Sequence, residues 1–141
     1  MNLKRIVSTD TAGTTLLIRL MVGAVFLSEG IQKFLFADKQ GSGRFAKIGL
    51  PNPDFVGPFV GTFEILCGFL VLLGLLTRPA SIPLIIIMFA AIATTKADVL
   101  AKDGFWEMMH GSRTDWSMLL GSIFLLVKGG RRWSVDQKLA A

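Results

Sequence analysis

The sequence predicts an all-α integral membrane protein, a single domain over residues 1–141 built as a four-helix bundle. Hydrophobic residues make up 52% of the chain and charged residues only 18%, a balance typical of membrane proteins. Four segments meet or approach the about 20 helical residues of a bilayer crossing: 14–36, 56–77, 79–97 and 114–129. The runs CGFLVLLGLL and LIIIMFAAIA are continuously apolar, whereas a β-barrel would alternate, so the spans are predicted to be helices.

The first predicted span, TLLIRLMVGAVFLSEGIQKFLF, contains the ionisable residues Arg19, Glu29 and Lys33. An ionised side chain near the bilayer centre costs about 2.5–3.5 kcal/mol, so these groups are expected to face the interior of the bundle. Arg19 and Lys33 share one helical stripe with Gly23 and Gly30, and Glu29 lies at its edge. These charged residues either mark a functional site or serve only to form ion pairs and to pack the helices.

The second predicted span repeats the pattern, because Glu64 shares a helical stripe with Gly57, Gly61 and Gly68. Small residues allow close approach of a neighbouring backbone. Glu64 therefore either pairs with a cation from another helix or is buried in its neutral form. The single cysteine, Cys67, is interpreted as a small apolar filler, and one cysteine cannot support an intrachain dithiol relay.

The remaining polar residues lie at the ends of the third and fourth spans. The third span ends at Lys96, which either snorkels to the membrane interface or points inward. Asp115 is suited to stabilise the start of the fourth helix. The segments 37–55 and 98–113 are predicted to be loops, and the second of these contains His110 and Arg113.

The ionisable groups of all four helices are expected at one level of the membrane. We predict that Glu29, Lys33, Glu64 and Lys96 meet in one cluster, with at least one carboxylate–ammonium contact between helices. Asp115 begins the fourth helix at the same level. The HGSRTD segment is expected either to cap the cavity, with the His110 ring contacting the first or second helix, or to be a loop in which His110 is solvated. Arg19 lies about 21 Å below Lys33, from 14 residues of helix.

This cluster is either an ion-pair clasp or a pocket for a polar or redox-active small molecule. The proton-transfer candidates are Glu29, Glu64, Asp115 and His110, and the ligand-binding candidates are Arg19, Lys33, Lys96 and Arg113. Histidine is included because its side chain ordinarily titrates near neutrality. No metal-ligand spacing stands out, and no GxGxxG or CxxCH motif indicates a dinucleotide or haem.

Basic residues flanking the spans indicate a topology with both termini in the cytoplasm and the two longer connections outside. The cytoplasmic set is Lys4, Arg5, Arg78, Lys128, Arg131, Arg132 and Lys138, opposed by Lys39, Arg44, Lys47, Lys102 and Arg113. The net charge of +5 is therefore interpreted as a topology signal rather than as nucleic-acid binding. The first segment contains charges within its apolar part, so it is interpreted as a retained helix rather than a cleaved signal peptide.

Six blocks of the sequence, in order, carry a resemblance to a known family. They are SEGIQKFLF, GSGRFAKIGLP, GTFEILCGFLVLLGLLTRPASIPL, TTKADVL, GFWEMMHGSRTDWSMLLGSIFLLVKGG and RRWSVD. Together they resemble the DoxX family of small bacterial membrane proteins. The resemblance implies a four-helix protein of the inner membrane, and it places Arg19, Glu29, Lys33, Glu64, Arg78, Lys96, His110, Arg113 and Asp115 at the family's polar positions. Trp133, Ser134 and Asp136 match its C-terminal signature.

The family takes its name from a subunit linked to a terminal quinol oxidase and to thiosulfate:quinone oxidoreductase activity. The resemblance therefore implies a membrane subunit of a redox system, not expected to catalyse alone, whose outer cavity receives a quinone or a small sulfur species. The alternative is a non-enzymatic carrier of small solutes or ions, or an assembly partner in the membrane. The expected partners are the lipid bilayer and a redox protein, and a homo-oligomer is compatible with both readings.

Overall fold

The computed structural model describes residues 3–7 and 12–141, and for Leu3 and Arg5 the backbone only. All regular structure in these residues is helical, which confirms the all-α class. The elements are α1 (Leu3–Ile6), α2 (Thr15–Leu35), α3 (Ala37–Gln40), α4 (Ser42–Lys47), α5 (Pro53–Leu73), α6 (Thr77–Ala91), a π-helical turn (Ile92–Lys96), α7 (Ala97–Asp103), α8 (Phe105–Gly111), α9 (Arg113–Lys128) and α10 (Val135–Ala140).

Three helical stretches are long and apolar enough to cross a membrane: Thr15–Leu35, Pro53–Leu73 and the continuous stretch Thr77–Asp103. α9 has 16 residues and so is about 24 Å long, shorter than a typical crossing. The predicted count of four spans is therefore not confirmed. α9 nevertheless packs along α6 and against α2, so that four helices surround one core.

The most extensive helix pairing is between α2 and α5. Glycines make this approach close: a Cβ atom added at Gly30 would lie 2.8 Å from the backbone oxygen of Gly61. One added at Gly68 would lie 2.7 Å from the backbone nitrogen of Leu27. The predicted glycine stripes thus lie mostly in the contact surface between the first two membrane helices, as small residues commonly do in bilayers. Gly57 is the exception, since it lies against Ser42 of α4.

The interior of the bundle is apolar, and so is much of its outer surface. Val22, Val71, Leu84 and Leu125 have no exposed surface and pack in the common core. Large apolar side chains also cover the outside of the helices, among them Leu17, Leu66, Ile82, Ile86, Phe89 and Leu120. Helices that are apolar on all sides are typical of a protein surrounded by lipid.

The two segments predicted to be loops are largely helical. Residues 37–47 form α3 and α4, and residues 97–111 form α7 and α8. Each of these helices has only four to seven residues, too few for a helical period to be recognised in the sequence. α5 also begins earlier than predicted, at Pro53, since proline suits the first position of a helix. It ends before Gly74, whose positive φ of 69° terminates it.

The third membrane stretch changes its winding between α6 and α7. Residues Ile92–Lys96 form a π-helical turn. The hydroxyl of Thr94 donates to the carbonyl of Ala90 at 2.7 Å, and that of Thr95 donates to the carbonyl of Ala91 at 2.6 Å. Single π-helical turns are rare and frequently lie at functional sites, and this one adjoins the cavity described next.

Candidate functional site

A cavity of about 480 Å³ lies between α2, α4, α5, α6 and α9, at the end of the bundle opposite the C-terminus. Most of its wall is apolar. The polar side chains that line it are Glu29, Lys33, Gln40, Arg44, Glu64, Thr94, Thr95, Thr114 and Asp115. Five of these residues carry ionisable groups, and they come from four separate helices. An apolar cleft with a few convergent polar groups is the usual form of a small-molecule site.

Lys33 and Glu64 form the central contact of this site. Nζ of Lys33 lies 2.7 Å from Oε2 of Glu64, and the two side chains are 10% and 5% exposed. In the described part of the chain, Oε2 has no other hydrogen-bond partner. The pair links α2 to α5, which is the inter-helix contact that the sequence led us to expect.

The glycines beside these residues explain why the contact is possible. Gly30 lies one turn before Lys33, and Gly61 lies one turn before Glu64. A Cβ atom added at Gly61 would be 3.2 Å from the Cβ of Lys33. Because the two backbones approach so closely here, the Lys33 side chain is long enough to bring its ammonium group to the carboxylate of Glu64.

Glu29 and Arg44 add a second negative and a second positive group to the wall. Glu29 is half-buried, one turn before Lys33 on α2, and lines the cavity as expected. Arg44 reaches the cavity from α4, where its Nη1 lies 3.4 Å from Oε1 of Gln40. Arg44 was not among the predicted site residues, because residues 37–55 were predicted to be a loop and not to form a helix against the bundle.

Lys96 joins the site only through Asp115. Its Nζ lies 3.4 Å from Oδ2 of Asp115, and the two side chains are 18% and 23% exposed. Asp115 lines the cavity, whereas Lys96 lies outside its wall. Of the four residues expected to cluster, Glu29, Lys33 and Glu64 line the cavity, whereas Lys96 does not, which corrects that prediction. Lys96 instead forms a separate ion pair with Asp115.

His110 and Arg113 lie outside the cavity wall, and this corrects the expected cap. Both residues are exposed, and Nη1 of Arg113 donates to the backbone oxygen of His110 at 2.6 Å. The HGSRTD segment contributes to the cavity through Thr114 and Asp115 instead. His110 lies in α8, and no residue of this helix lines the cavity.

Arg19 is a buried structural residue far from the cavity. It is 1% exposed and donates to three backbone oxygens, those of Val71 at 3.1 Å, Leu72 at 2.6 Å and Trp133 at 3.0 Å. The first two belong to the last turn of α5, where a cation opposes the negative end of the helix. The guanidinium thus joins α5 to the C-terminal segment, and this geometry gives no access to a ligand in the cavity.

Asp136 is the acidic counterpart of Arg19 at the same end of the bundle. Its carboxylate is 1% exposed and accepts hydrogen bonds from the backbone nitrogens of Leu76 at 2.7 Å and Thr77 at 2.9 Å. It therefore caps the start of α6 from a residue distant in sequence. In the sequence, Asp136 was indicated only by the family's C-terminal signature WSVD. That signature did not indicate that Asp136 caps α6.

No metal centre is indicated in residues 3–7 and 12–141. No three side chains of histidine, cysteine, aspartate or glutamate come together there as a metal ion would require. Cys67 is buried in the apolar core. The cavity thus presents carboxylates, an ammonium and a guanidinium to a ligand, which suits an organic molecule with polar oxygens.

Comparison with known proteins gives one family and two relatives. The family model described as DoxX matches residues 14–97. The chain is 51% identical over 142 residues to the uncharacterised membrane protein Rv3486 of Mycobacterium tuberculosis, covering 96% of this chain and 87% of that protein. It is 31% identical over 123 residues to "Putative oxidoreductase CatD" of Bacillus subtilis, covering 86% of this chain and 84% of CatD. No solved structure matches.

Proposed function

The chain belongs to the DoxX family, and from that premise we propose that it is the membrane subunit of a redox system and that its cavity binds a quinone. The name of the relative CatD supports an oxidoreductase role. The observation that carries the proposal is the cavity itself, an apolar cleft between membrane helices with five ionisable side chains in its wall.

The chemistry of the wall fits a quinone better than a small sulfur species. A quinone has an apolar ring with two opposed carbonyl oxygens, so it needs apolar walls and a few polar contacts. Phe26, Phe45 and Met118 supply apolar surface, while Lys33 and Arg44 supply cations that can approach a carbonyl oxygen. A small sulfur oxyanion would leave most of the apolar wall without a matching surface.

The charged residues have distinct roles in this proposal. Conversion of a quinone to a quinol takes up two electrons and two protons; the electrons come from a redox partner protein. Glu64 and Glu29 would exchange the protons, since carboxylates at the wall of an intramembrane cavity are suited to proton relay. Lys33 and Arg44 would stabilise negative charge on a ring oxygen. Asp115 would be the third proton carrier, oriented by Lys96.

The proposal also includes the location of the protein and its partners. The three long apolar helices and the family place the chain in a membrane. We infer that this is the bacterial plasma membrane, with both termini in the cytoplasm, on the distribution of basic residues around the spans. The cavity would then open towards the outer side, and the redox partner would supply electrons to a ligand held there.

The proposal is tested by titrating purified protein in lipid nanodiscs with a quinone that has a single isoprene unit. We expect saturable binding, weakened about tenfold or more in Lys33→Met, because a charged hydrogen bond contributes about 1.5–3 kcal/mol. Lys47→Met is the matched control, since Lys47 is exposed on α4 and does not line the cavity. Equal affinity of both variants would contradict the proposed site.

Two other measurements separate the quinone site from the alternatives. Native mass spectrometry of gently extracted protein should show a retained quinone. Solute flux in protein-containing liposomes, with no quinone binding, would favour a carrier. A stable partner protein with neither activity would favour an assembly role in which the Lys33–Glu64 pair only fixes helix packing.

A further inference from the structure

A second, smaller space lies beside the cavity, between α5 and α6. This crevice has a volume of about 250 Å³ and is lined by Phe59, Val60, Phe63, Pro83, Ile86 and Ile87. All six side chains are apolar. It therefore offers no group for a polar ligand, and only a hydrocarbon chain matches its surface.

The crevice and the cavity share part of their walls. The side chains that line both are Phe59, Val60, Ile86 and Ile87. Glu64 lies on the cavity side, one turn from Val60. A molecule extended through both spaces would pass from a charged region to a wholly apolar one.

The crevice opens on the lipid-facing surface. Phe59 and Ile86 are 50% and 62% exposed, and both belong to helices that are long and apolar enough to cross the membrane. Phe63 lies 10 residues into α5, which is about 15 Å from its first residue and therefore near the middle of a bilayer core of about 30 Å. A chain leaving the cavity by this route would enter the acyl region of the membrane.

We propose that the crevice between α5 and α6 is a lateral entrance from the bilayer that holds the isoprenoid tail of a quinone whose ring lies in the cavity. This rests on the proposed function and narrows its ligand to a long-tailed, membrane-resident quinone. The crevice acts as a passage rather than as a source of affinity, because a tail gains little by exchanging lipid for apolar side chains. A passage at this depth allows a long tail to remain in the acyl region of the membrane while the ring lies in the cavity.

The test compares two quinones with the same ring, one with a single isoprene unit and one with a long tail, in lipid nanodiscs. The variant is Ile87→Trp, which places a large side chain where the crevice meets the cavity. The control is Ile82→Trp, since Ile82 is exposed to lipid on the same helix and lines neither space. We expect Ile87→Trp to weaken the long-tailed quinone at least about tenfold more than the short one. The control should change neither.

The outcomes separate the two proposals. If the wild type binds the short quinone but not the long one, the lateral entrance is wrong and the quinone site stands. If Ile87→Trp weakens both quinones equally, or neither, the tail does not pass through the crevice. If the wild type binds neither quinone, both proposals are wrong. A long-tailed quinone with a photoreactive group within its first isoprene units gives a direct check. It should label peptides from Phe59–Phe63 and Pro83–Ile87, and label found only elsewhere would overturn the route.

Discussion

Nζ of Lys33 and Oε2 of Glu64 lie 2.7 Å apart across the interface between α2 and α5, the two most closely packed membrane helices. The pair forms part of the cavity wall. It therefore has two consequences that can be measured separately. It joins two helices, which bears on stability, and it presents charge to a ligand, which bears on binding.

Replacing Glu64 should reveal the stability contribution of this pair. We predict that Glu64→Ala unfolds at a clearly lower temperature in detergent than Glu64→Gln. Alanine leaves the Lys33 ammonium buried without a partner, at a cost of about 3–5 kcal/mol, whereas glutamine retains volume and a hydrogen-bond acceptor. Glu107→Ala, at an exposed position of α8, is the control and should unfold like the wild type. Equal, near-wild-type stability of both Glu64 variants would contradict the buried pair.

A single methyl group added at the interface between α2 and α5 should destabilise the protein. We predict that Gly30→Ala lowers stability by about 1–3 kcal/mol, because the added Cβ meets backbone atoms that cannot rotate away. Those atoms are the oxygen of Gly61 and the nitrogen of Ile65, both at 2.8 Å. Ala24→Val, on the exposed side of the same helix, is the matched control. The measurement is thermal unfolding in one detergent, and an unaffected Gly30→Ala protein would show that the helices are farther apart than described.

The C-terminal end should contribute to stability without contributing to ligand binding. We predict that Asp136→Asn destabilises the protein by about 1.5–3 kcal/mol, since a buried carboxylate that accepts two backbone hydrogen bonds loses its charge. Short-quinone affinity should remain within about twofold of wild type, a change below about 0.5 kcal/mol. Asp103→Asn, at an exposed position of α7, is the control. A large loss of affinity in a folded Asp136→Asn protein would mean that the two ends of the bundle are coupled.

His110 and Asp115 should differ in their effect on any pH-dependent activity. His110 is exposed and lies outside the cavity wall, whereas Asp115 lines it. We therefore expect His110→Gln to leave the pH profile of quinone binding unchanged and Asp115→Asn to alter it. The measurement is the dissociation constant of the short quinone at a series of pH values. A shifted profile in His110→Gln alone would restore the histidine to a role in proton transfer.

The sequence was sufficient for the features that depend on residue type and helical spacing. The cost of burying charge in a membrane predicted that Lys33 and Glu64 would face the interior, and the glycine spacing predicted which faces would pack. Their shared depth predicted a cluster that also included Lys96, which the structure places outside the cavity wall. Arg19 carried the same kind of signal, yet it binds the backbone oxygens at the end of α5 and that of Trp133. A charged residue in a membrane helix thus predicted that its side chain would be buried with partners. It did not indicate whether that residue lines a ligand site or only stabilises the fold.

Features that depend on the path of the chain between the spans could not be predicted from residue type and helical spacing. Arg44 lines the cavity only because residues 42–47 form a helix against the bundle. Asp136 is important only because the chain turns back after α9 to bring it to the start of α6. Neither the short helices nor the return carries a periodic pattern, since each segment has too few residues to show one.

The most direct test of the quinone site is photoaffinity labelling with a short-tailed quinone that carries a photoreactive group on its ring. The labelled protein, in lipid nanodiscs, is digested and the modified residues are located by mass spectrometry, with and without excess unlabelled quinone. We predict labelling at cavity residues around Lys33, Arg44 and Glu64, abolished by the competitor and clearly reduced in Lys33→Met. Label confined to lipid-facing residues such as Leu66 and Ile82, and unaffected by the competitor, would contradict it.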